Sequence, residues 1–210
     1  KAGINFADIL SRMGLYPGAP NPPFTPGMEV SGTIHELGPD VKGFKKGDRV
    51  VGSGTNGGYS THTIAKLQGI FKIPDNISFE IAAAFPAVYF TSYLMVIHPG
   101  ALQKGESILI HGAAGGVGLA STELAKIAGA KTIFGTCSPE KHDFVRDKGV
   151  LPVDRDNFLA EIMEWTDNKG VELVLDPIGG EHLMQSYRCL GSGGRVCSFG
   201  ISDMAPGKKK

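Results

Sequence analysis

Between residues 111 and 118 the chain reads His111-Gly112-Ala113-Ala114-Gly115-Gly116-Val117-Gly118. Glycines at this density let a backbone approach a phosphate closely, and a helix that follows such a loop presents unpaired N–H groups to the negative charge. The run follows G-x-G-x-x-G with Ala113 in place of the first glycine, which points to the pyrophosphate of a dinucleotide; a tight structural turn is the alternative. In dinucleotide folds an acidic residue about 20 positions further on holds the adenosine ribose of NAD. Here that stretch is Gly135-Thr136-Cys137-Ser138-Pro139-Glu140-Lys141, small and hydroxylic where the acid would stand. Ser138 can donate a hydrogen bond to a 2′-phosphate, Lys141 adds a charge and the helix start its dipole, so NADP is preferred over NAD. Ser138 can equally serve as the cap of the helix that Pro139 opens.

Such residues need a strand, a turn and a helix in succession, and from residue 90 onward the chain repeats that rhythm. Ser107–His111 reads as a strand, 117–128 as a helix and 131–134 as a second strand. A helix over 139–148, a short strand at Pro152 and Val153, and a helix over 158–166 with Phe158, Ile162 and Trp165 on one face come next. A strand over 172–176, a helix over 181–190 and a strand over 195–199 complete the series. Five alternating units predict a parallel sheet covered by helices.

Before residue 90 the pattern is different. Short apolar runs at 30–37, 49–52, 59–65 and 70–73 are cut by Gly and Pro, as in an irregular all-β module. Lys46-Gly47-Asp48 sets a turn ahead of one strand, and Ser78 caps a brief helix over 78–84.

The composition narrows the function classes. The 21 Lys+Arg against 21 Asp+Glu leave no formal net charge, which argues against a nucleic-acid partner, because such surfaces carry a basic excess. The three cysteines, Cys137, Cys189 and Cys197, are too few for a disulfide framework and suit a reducing compartment, the cytoplasm. No stretch of about 18 apolar residues is present, so no membrane span is expected. His35, His62, His98, His142 and His182 read as surface or turn positions and His111 as structural; none pairs with a Ser or Cys in a nucleophile motif. The chain starts without Met and ends in Lys208-Lys209-Lys210, a solvated tail rather than an anchor, and reads as incomplete.

Five motifs in a fixed order carry a family likeness. They are Gly3-Ile4-Asn5-Phe6-Ala7-Asp8, Gly14-Leu15-Tyr16-Pro17, Pro26-Gly27-Met28-Glu29-Val30-Ser31-Gly32, Gly47-Asp48-Arg49-Val50 and Ala113-Ala114-Gly115-Gly116-Val117-Gly118. Together, along essentially the whole chain, they resemble the zinc-independent quinone oxidoreductase branch of the medium-chain dehydrogenase/reductases. Phe134-Gly135-Thr136 and Asp176-Pro177-Ile178-Gly179-Gly180 are similar to the vesicle amine transport protein group of that branch, and enoyl reductase domains of polyketide synthases are also similar.

The resemblance implies an α/β plus β fold: a Rossmann parallel sheet with helices on both faces at 90–210, joined to a GroES-like β substrate domain at 1–89, each cut short. It implies a homodimer in the full-length protein and a zinc-free reductase passing hydride from NADPH to a quinone or α,β-unsaturated carbonyl. An enoyl-thioester reductase and a non-catalytic NADPH-binding adaptor are the alternatives. Zinc-bearing relatives carry Cys and His where Asn5 and Met28 stand, and those two offer no such ligand. By the same resemblance Asn5 and Tyr16 orient the acceptor oxygen and stabilise its developing charge. An Asn in a turn and a Tyr packed beside Pro17 are the bland readings. Cofactor contacts are implied for Phe6, Thr91, Gly115, Gly116, Val117, Ser138, Lys141, Phe199, Gly200 and Ser202. Arg155 stands where relatives carry a Tyr near the 2′-phosphate and can replace it with a guanidinium fork; a solvated Arg is the alternative. Thr91 can also bond back within its own helix.

Overall fold

The structure is a computed structural model that describes residues 1–54 and 56–204. The lysine tail at 208–210 lies outside the described residues. The chain divides into two compact units, Lys1–Val88 and a second from Tyr89 onward.

The first unit opens with α1 (Phe6–Arg12), a helix the apolar pattern does not announce. Its start is fixed by Asp8, whose Oδ2 accepts the N–H of Asn5 at 2.9 Å, and it buries Leu10 and Ser11. The sheet is three-stranded and antiparallel, with β1 (Glu29–Thr33), β2 (Arg49–Ser53) and β3 (Ile70–Lys72) in that order. Val30 pairs with Gly52 and Gly32 with Val50. The strand expected over 30–37 ends at Thr33, and only single ladder bonds continue beyond it, from Ile34 N to Asp48 O and from Gly47 N to Ile34 O. The expected strand over 59–65 does not form. Local bonds compete there: the Tyr59 hydroxyl donates to Asp8, and the Ser60 hydroxyl lies 2.6 Å from the carbonyl of His62. Helix α2 (Phe79–Ala83) forms with Ser78 Oγ accepting the Ile81 N–H at 3.2 Å.

In the second unit, α3 (Pro86–Val96), of which residues from Tyr89 belong here, precedes a regular alternation. It runs β4 (Ser107–His111), α4 (Gly116–Ala128), β5 (Thr132–Thr136), α5 (His142–Asp147) and β6 (Leu151–Val153). Then come α6 (Phe158–Trp165), β7 (Val171–Asp176), α7 (Gly180–Arg188) and β8 (Leu190–Ser198). All pairings are parallel in the order β6-β5-β4-β7-β8. The order reverses between β4 and β7, the switch point where open α/β sheets bind ligands beyond their strand ends.

Alternation along β4 explains the two covered faces. Ile108 and Ile110 pack with Leu173, Leu175, Ala125 and Val145. Leu109 points the other way, to Phe134, Val174, Phe158, Ile162 and Cys189. On α6, Phe158 and Ile162 are buried as their spacing requires, whereas Trp165 is 57 % exposed and reaches only the edge of the Phe134 ring. The helix expected over 139–148 is split into a 3-10 turn at Pro139–Lys141 and α5. Strand β8 begins earlier than expected, because Gly191–Gly194 give no apolar signal yet continue the strand past an irregularity in its pairing with β7. Arg195 on β8 clamps the start of the sheet: it meets both carboxylate oxygens of Glu106, at 2.9 and 2.6 Å, and the carbonyls of Gly100 and Ala101. Among the described residues no helix is long and apolar enough to cross a membrane.

Candidate functional site

The glycine loop leaves β4 at the switch point. Gly112 adopts φ +68°, a turn that favours glycine, and Thr136 at the end of β5 holds it: the Ala113 N–H donates to the Thr136 carbonyl at 2.9 Å and the Gly112 N–H to its hydroxyl at 3.4 Å. Gly115 N bonds back to Gly112 O at 2.9 Å, and Gly115 is the N-cap of α4. Gly116 and Val117 are therefore the first residues of a 13-residue helix, where N–H groups have no intrahelical acceptor. A Cβ at Gly118 would lie 2.6 Å from Ala113 Cα, so only glycine lets the helix pack this close to the loop. These features fit a pyrophosphate at the helix start.

Beside the loop lies a cleft of about 300 Å³ whose lining includes Gly115, Ser138, Lys141, Arg155 and Ser202. Ser138 is the N-cap of the Pro139 turn, but its side chain does not cap; it donates to Glu140 Oε1 at 2.6 Å. A phosphate there would have to replace that carboxylate. Arg155 is exposed beside a turn in which Asp154 Oδ1 accepts the N–H groups of Asp156 and Asn157. Cys137 also lines the cleft, and burial pushes its thiol pKa up. Phe199 packs against the core and donates its N–H to Asp176 O. Gly200 has a structural reason to be glycine, since a Cβ would sit 2.9 Å from Pro177 Cα. Thr91 is half-buried on α3, next to Ser92, whose hydroxyl donates to the Val117 carbonyl.

Directly under the loop lies a buried polar cluster that reading residues one at a time does not reveal. His111 Nδ1 is 3.0 Å from Thr136 Oγ1, and its Nε2 is 3.1 Å from Ser186 Oγ. Ser186 donates to Asp176 Oδ2 at 2.6 Å, and His182 Nδ1 lies 3.0 Å from the same oxygen. Asp176 Oδ1 accepts the N–H groups of Ile178 and Gly179. His182 is thus no surface histidine: its side chain is 19 % exposed and its ring lies against those of His111 and Phe158. His142, also read as a surface position, is half-buried. Burial raises the Asp176 carboxyl pKa, but hydrogen bonds from His182, Ser186, Gly179 and Ile178 outweigh it and hold the group below its usual range. The signal in the sequence was the i, i+4 spacing of His182 and Ser186, which sets both on one face of α7.

In the first unit Asn5, Phe6 and Tyr16 surround α1: Asn5 is its N-cap, Phe6 is exposed, and Tyr16 is half-buried in the turn after it. Asn5 Nδ2 donates to Glu29 Oε1 at 2.8 Å, and Glu29 Oε2 accepts the Ala87 N–H at 2.7 Å. Asp8 Oδ1 accepts the Gly27 N–H, and its Oδ2 accepts the Tyr59 hydroxyl. Burial and Asp8 push the Tyr59 phenol up to about 12.

Residues 1–75 match the family model described as alcohol dehydrogenase GroES-like domain, and residues 116–209 match the one described as zinc-binding dehydrogenase. The chain is 40 % identical over 210 residues to a synaptic vesicle membrane protein VAT-1 homolog of Danio rerio, covering 99 % of this chain and 43 % of that protein. A crystal structure of a quinone oxidoreductase from Pseudomonas syringae pv. Tomato DC3000 superposes with TM-score 0.90 at 35 % identity, over 96 % of this chain and 63 % of that one. The native structure of mycobacterial Rv1454c complexed with NADPH gives TM-score 0.88 at 31 % identity, over 95 % and 63 %. The chain spans about half the length of the curated VAT-1 relatives it matches.

Proposed function

Because the chain belongs to the medium-chain dehydrogenase/reductase superfamily, among the quinone oxidoreductases and VAT-1 proteins, we propose that it serves as an NADPH-dependent oxidoreductase that reduces a quinone or α,β-unsaturated carbonyl without zinc. The observation that carries this reading is the cleft beyond the strand ends, where the glycine loop shares its walls with Ser138, Lys141 and Arg155. Two cations and a hydroxyl suit a 2′-phosphate, and no acid follows β5 at the ribose position that NAD uses.

When bound, the nicotinamide supplies the hydride. The chain's own part is to hold and orient. Gly116 and Val117 receive the pyrophosphate, with Gly115 turning the chain into the helix. Ser202 and the backbone at Phe199 and Gly200 follow the end of β8, and the family resemblance assigns Thr91 and Phe6 to the cofactor as well. Asn5 and Tyr16 orient the acceptor oxygen and stabilise its charge by hydrogen bonding. The family description names zinc, but the resemblance puts its ligands where Asn5 and Met28 stand, and a carboxamide and a thioether suit zinc poorly. Three unpaired thiols suit the reducing cytoplasm, and the family resemblance implies a homodimer.

Fluorescence titration with NADPH and NADH, followed by NADPH oxidation with quinone, enone and enoyl-thioester acceptors, tests the reading. Preferential NADPH binding with turnover of quinone or enone is the expected result. Turnover of the thioester alone would assign an enoyl reductase. Saturable binding without turnover would favour an adaptor, and no binding by the folded chain would overturn the cofactor assignment.

A further inference from the structure

We propose that His111, as the neutral Nε2–H tautomer, and Ser186 are positioning residues that pin the glycine loop through a one-way chain of hydrogen bonds from Gly112 to Asp176. The functional consequence rests on reading that loop as the cofactor cradle.

The direction follows from what each group can donate. Asp176 is fully buried and, as a carboxylate, only accepts. The Ser186 proton therefore points at Oδ2, 2.6 Å away, and the His182 Nδ1 proton at the same oxygen, 3.0 Å away. A hydroxyl has one proton, so the Ser186 oxygen can only accept from His111 Nε2 at 3.1 Å, which places a proton on Nε2. The titratable groups facing His111 are Asp176 from the end of β7 and His182 from α7; Phe158 of α6 closes the remaining side with its ring edge-on. Burial, then the neighbouring His182, push the His111 pKa down to about 3 against the pull of Asp176, so the ring is neutral and carries one N–H.

Nδ1 is then a lone pair and accepts the Thr136 hydroxyl proton at 3.0 Å. With that proton committed, the Thr136 oxygen is left to accept the Gly112 N–H at 3.4 Å. Every donor thus points toward Asp176, an arrangement in which each bond polarises the next. Gly112 and Ala113 have their N–H groups committed to one residue of β5, so a phosphate would have to be met by the open N–H groups at the start of α4.

His111, Asp176 and His182 also present donor atoms within 4.8 Å of one another. A cation among them would take Asp176 and the His111 ring from Ser186 and Thr136, so a cation site and this chain of bonds are mutually exclusive.

The test uses the full chain labelled with 15N-histidine. His111 is expected to show a protonated Nε2 and a bare Nδ1 throughout the range in which free histidine titrates, with equimolar Zn²⁺ leaving the signal in place. A protonated Nδ1, a titration near the free-histidine pKa, or loss of the Nε2 proton on adding Zn²⁺ would overturn the tautomer. Amide hydrogen exchange at Gly112 then reads the pinning, whether or not NADPH binds. It should be about tenfold faster in Thr136→Val and Ser186→Ala, the scale of one lost hydrogen bond, and should return to the wild-type rate in Thr136→Ser. Unchanged exchange at Gly112 in Ser186→Ala would overturn the positioning role of His111 and Ser186, whatever Thr136→Val does. NADPH affinity should fall about tenfold in the same two variants. A wild-type chain that shows the tautomer and the exchange pattern but binds no NADPH would overturn the cofactor reading and the functional consequence, while leaving the pinning established.

Discussion

Asn5 and Glu29 are joined side chain to side chain: Nδ2 of Asn5 donates to Oε1 of Glu29 at 2.8 Å, while the other carboxylate oxygen accepts the N–H of Ala87. Glu29 is 2 % exposed, so the bond that holds the carboxamide has no competition from water. If Asn5 orients the acceptor, Glu29→Gln, which sets a donor against one of these donors, should lower kcat/KM for quinone by about tenfold, or about 1.4 kcal/mol. NADPH affinity should stay within about twofold, because the changed bond touches no residue of the phosphate cleft. Steady-state kinetics beside a binding titration check the split.

Lys141 and Arg155 line the cleft beside the glycine loop. Lys141→Ala and Arg155→Ala should each weaken NADPH by about tenfold and leave NADH nearly unchanged, since only the former carries the extra phosphate. Equal losses for both cofactors would place these side chains elsewhere on the ligand.

The pH dependence of stability has a definite sign. His111 titrates near about 6.5 in the unfolded chain and at about 3 in the folded one. Between those values the unfolded state takes up a proton that the folded state refuses, so stability falls as pH drops below about 6.5, by up to about 1.4 kcal/mol per pH unit. Asp176 extends the trend: its folded pKa is depressed, so its contribution is full above about 3.9 and is lost as pH falls toward the folded value. Urea denaturation of wild type and His111→Gln from neutral to acidic pH should show a flatter dependence in the variant.

Arg195 and Glu106 form a two-pronged ion pair, largely shielded from water and braced by two carbonyls. Arg195→Lys keeps the charge and loses the fork, and should destabilise the second unit by about 1–2 kcal/mol. The shift of the urea midpoint at constant slope measures it.

The second unit was far more legible in the sequence than the first, for a physical reason. Ser107–His111 is a strand with residues buried on both faces, so the continuous apolar run at 108–110, closed by His111 and the glycine loop, marks it. Val171–Asp176 is marked by its apolar residues at 173–175, with Glu172 interrupting the run and the expectation starting one residue late, whereas the glycines of β8 conceal half of that strand. In the first unit elements are short, and side chains decide local geometry: α1 depends on the bond from Asn5 N to Asp8, and Tyr59 leaves strand geometry to reach Asp8 as well. The glycine loop was visible because its chemistry lies in consecutive residues. The cluster beneath it was not, because His111, Thr136, Asp176 and Ser186 come together only once β4, β5, β7 and α7 are assembled.

Thr136 fastens the start of the loop twice, through its hydroxyl to Gly112 and through its carbonyl to Ala113. Freezing one flexible residue costs roughly 1–2 kcal/mol of entropy, and here folding has already met that cost before any ligand arrives. A preorganised cradle gives little preference among ligands that share a diphosphate, since all of them find the same rigid seat. On the proposed reading, selectivity would then fall to the long, exposed side chains at its rim, Lys141 and Arg155. Such a division lets ligand choice drift during evolution while the seat itself stays fixed.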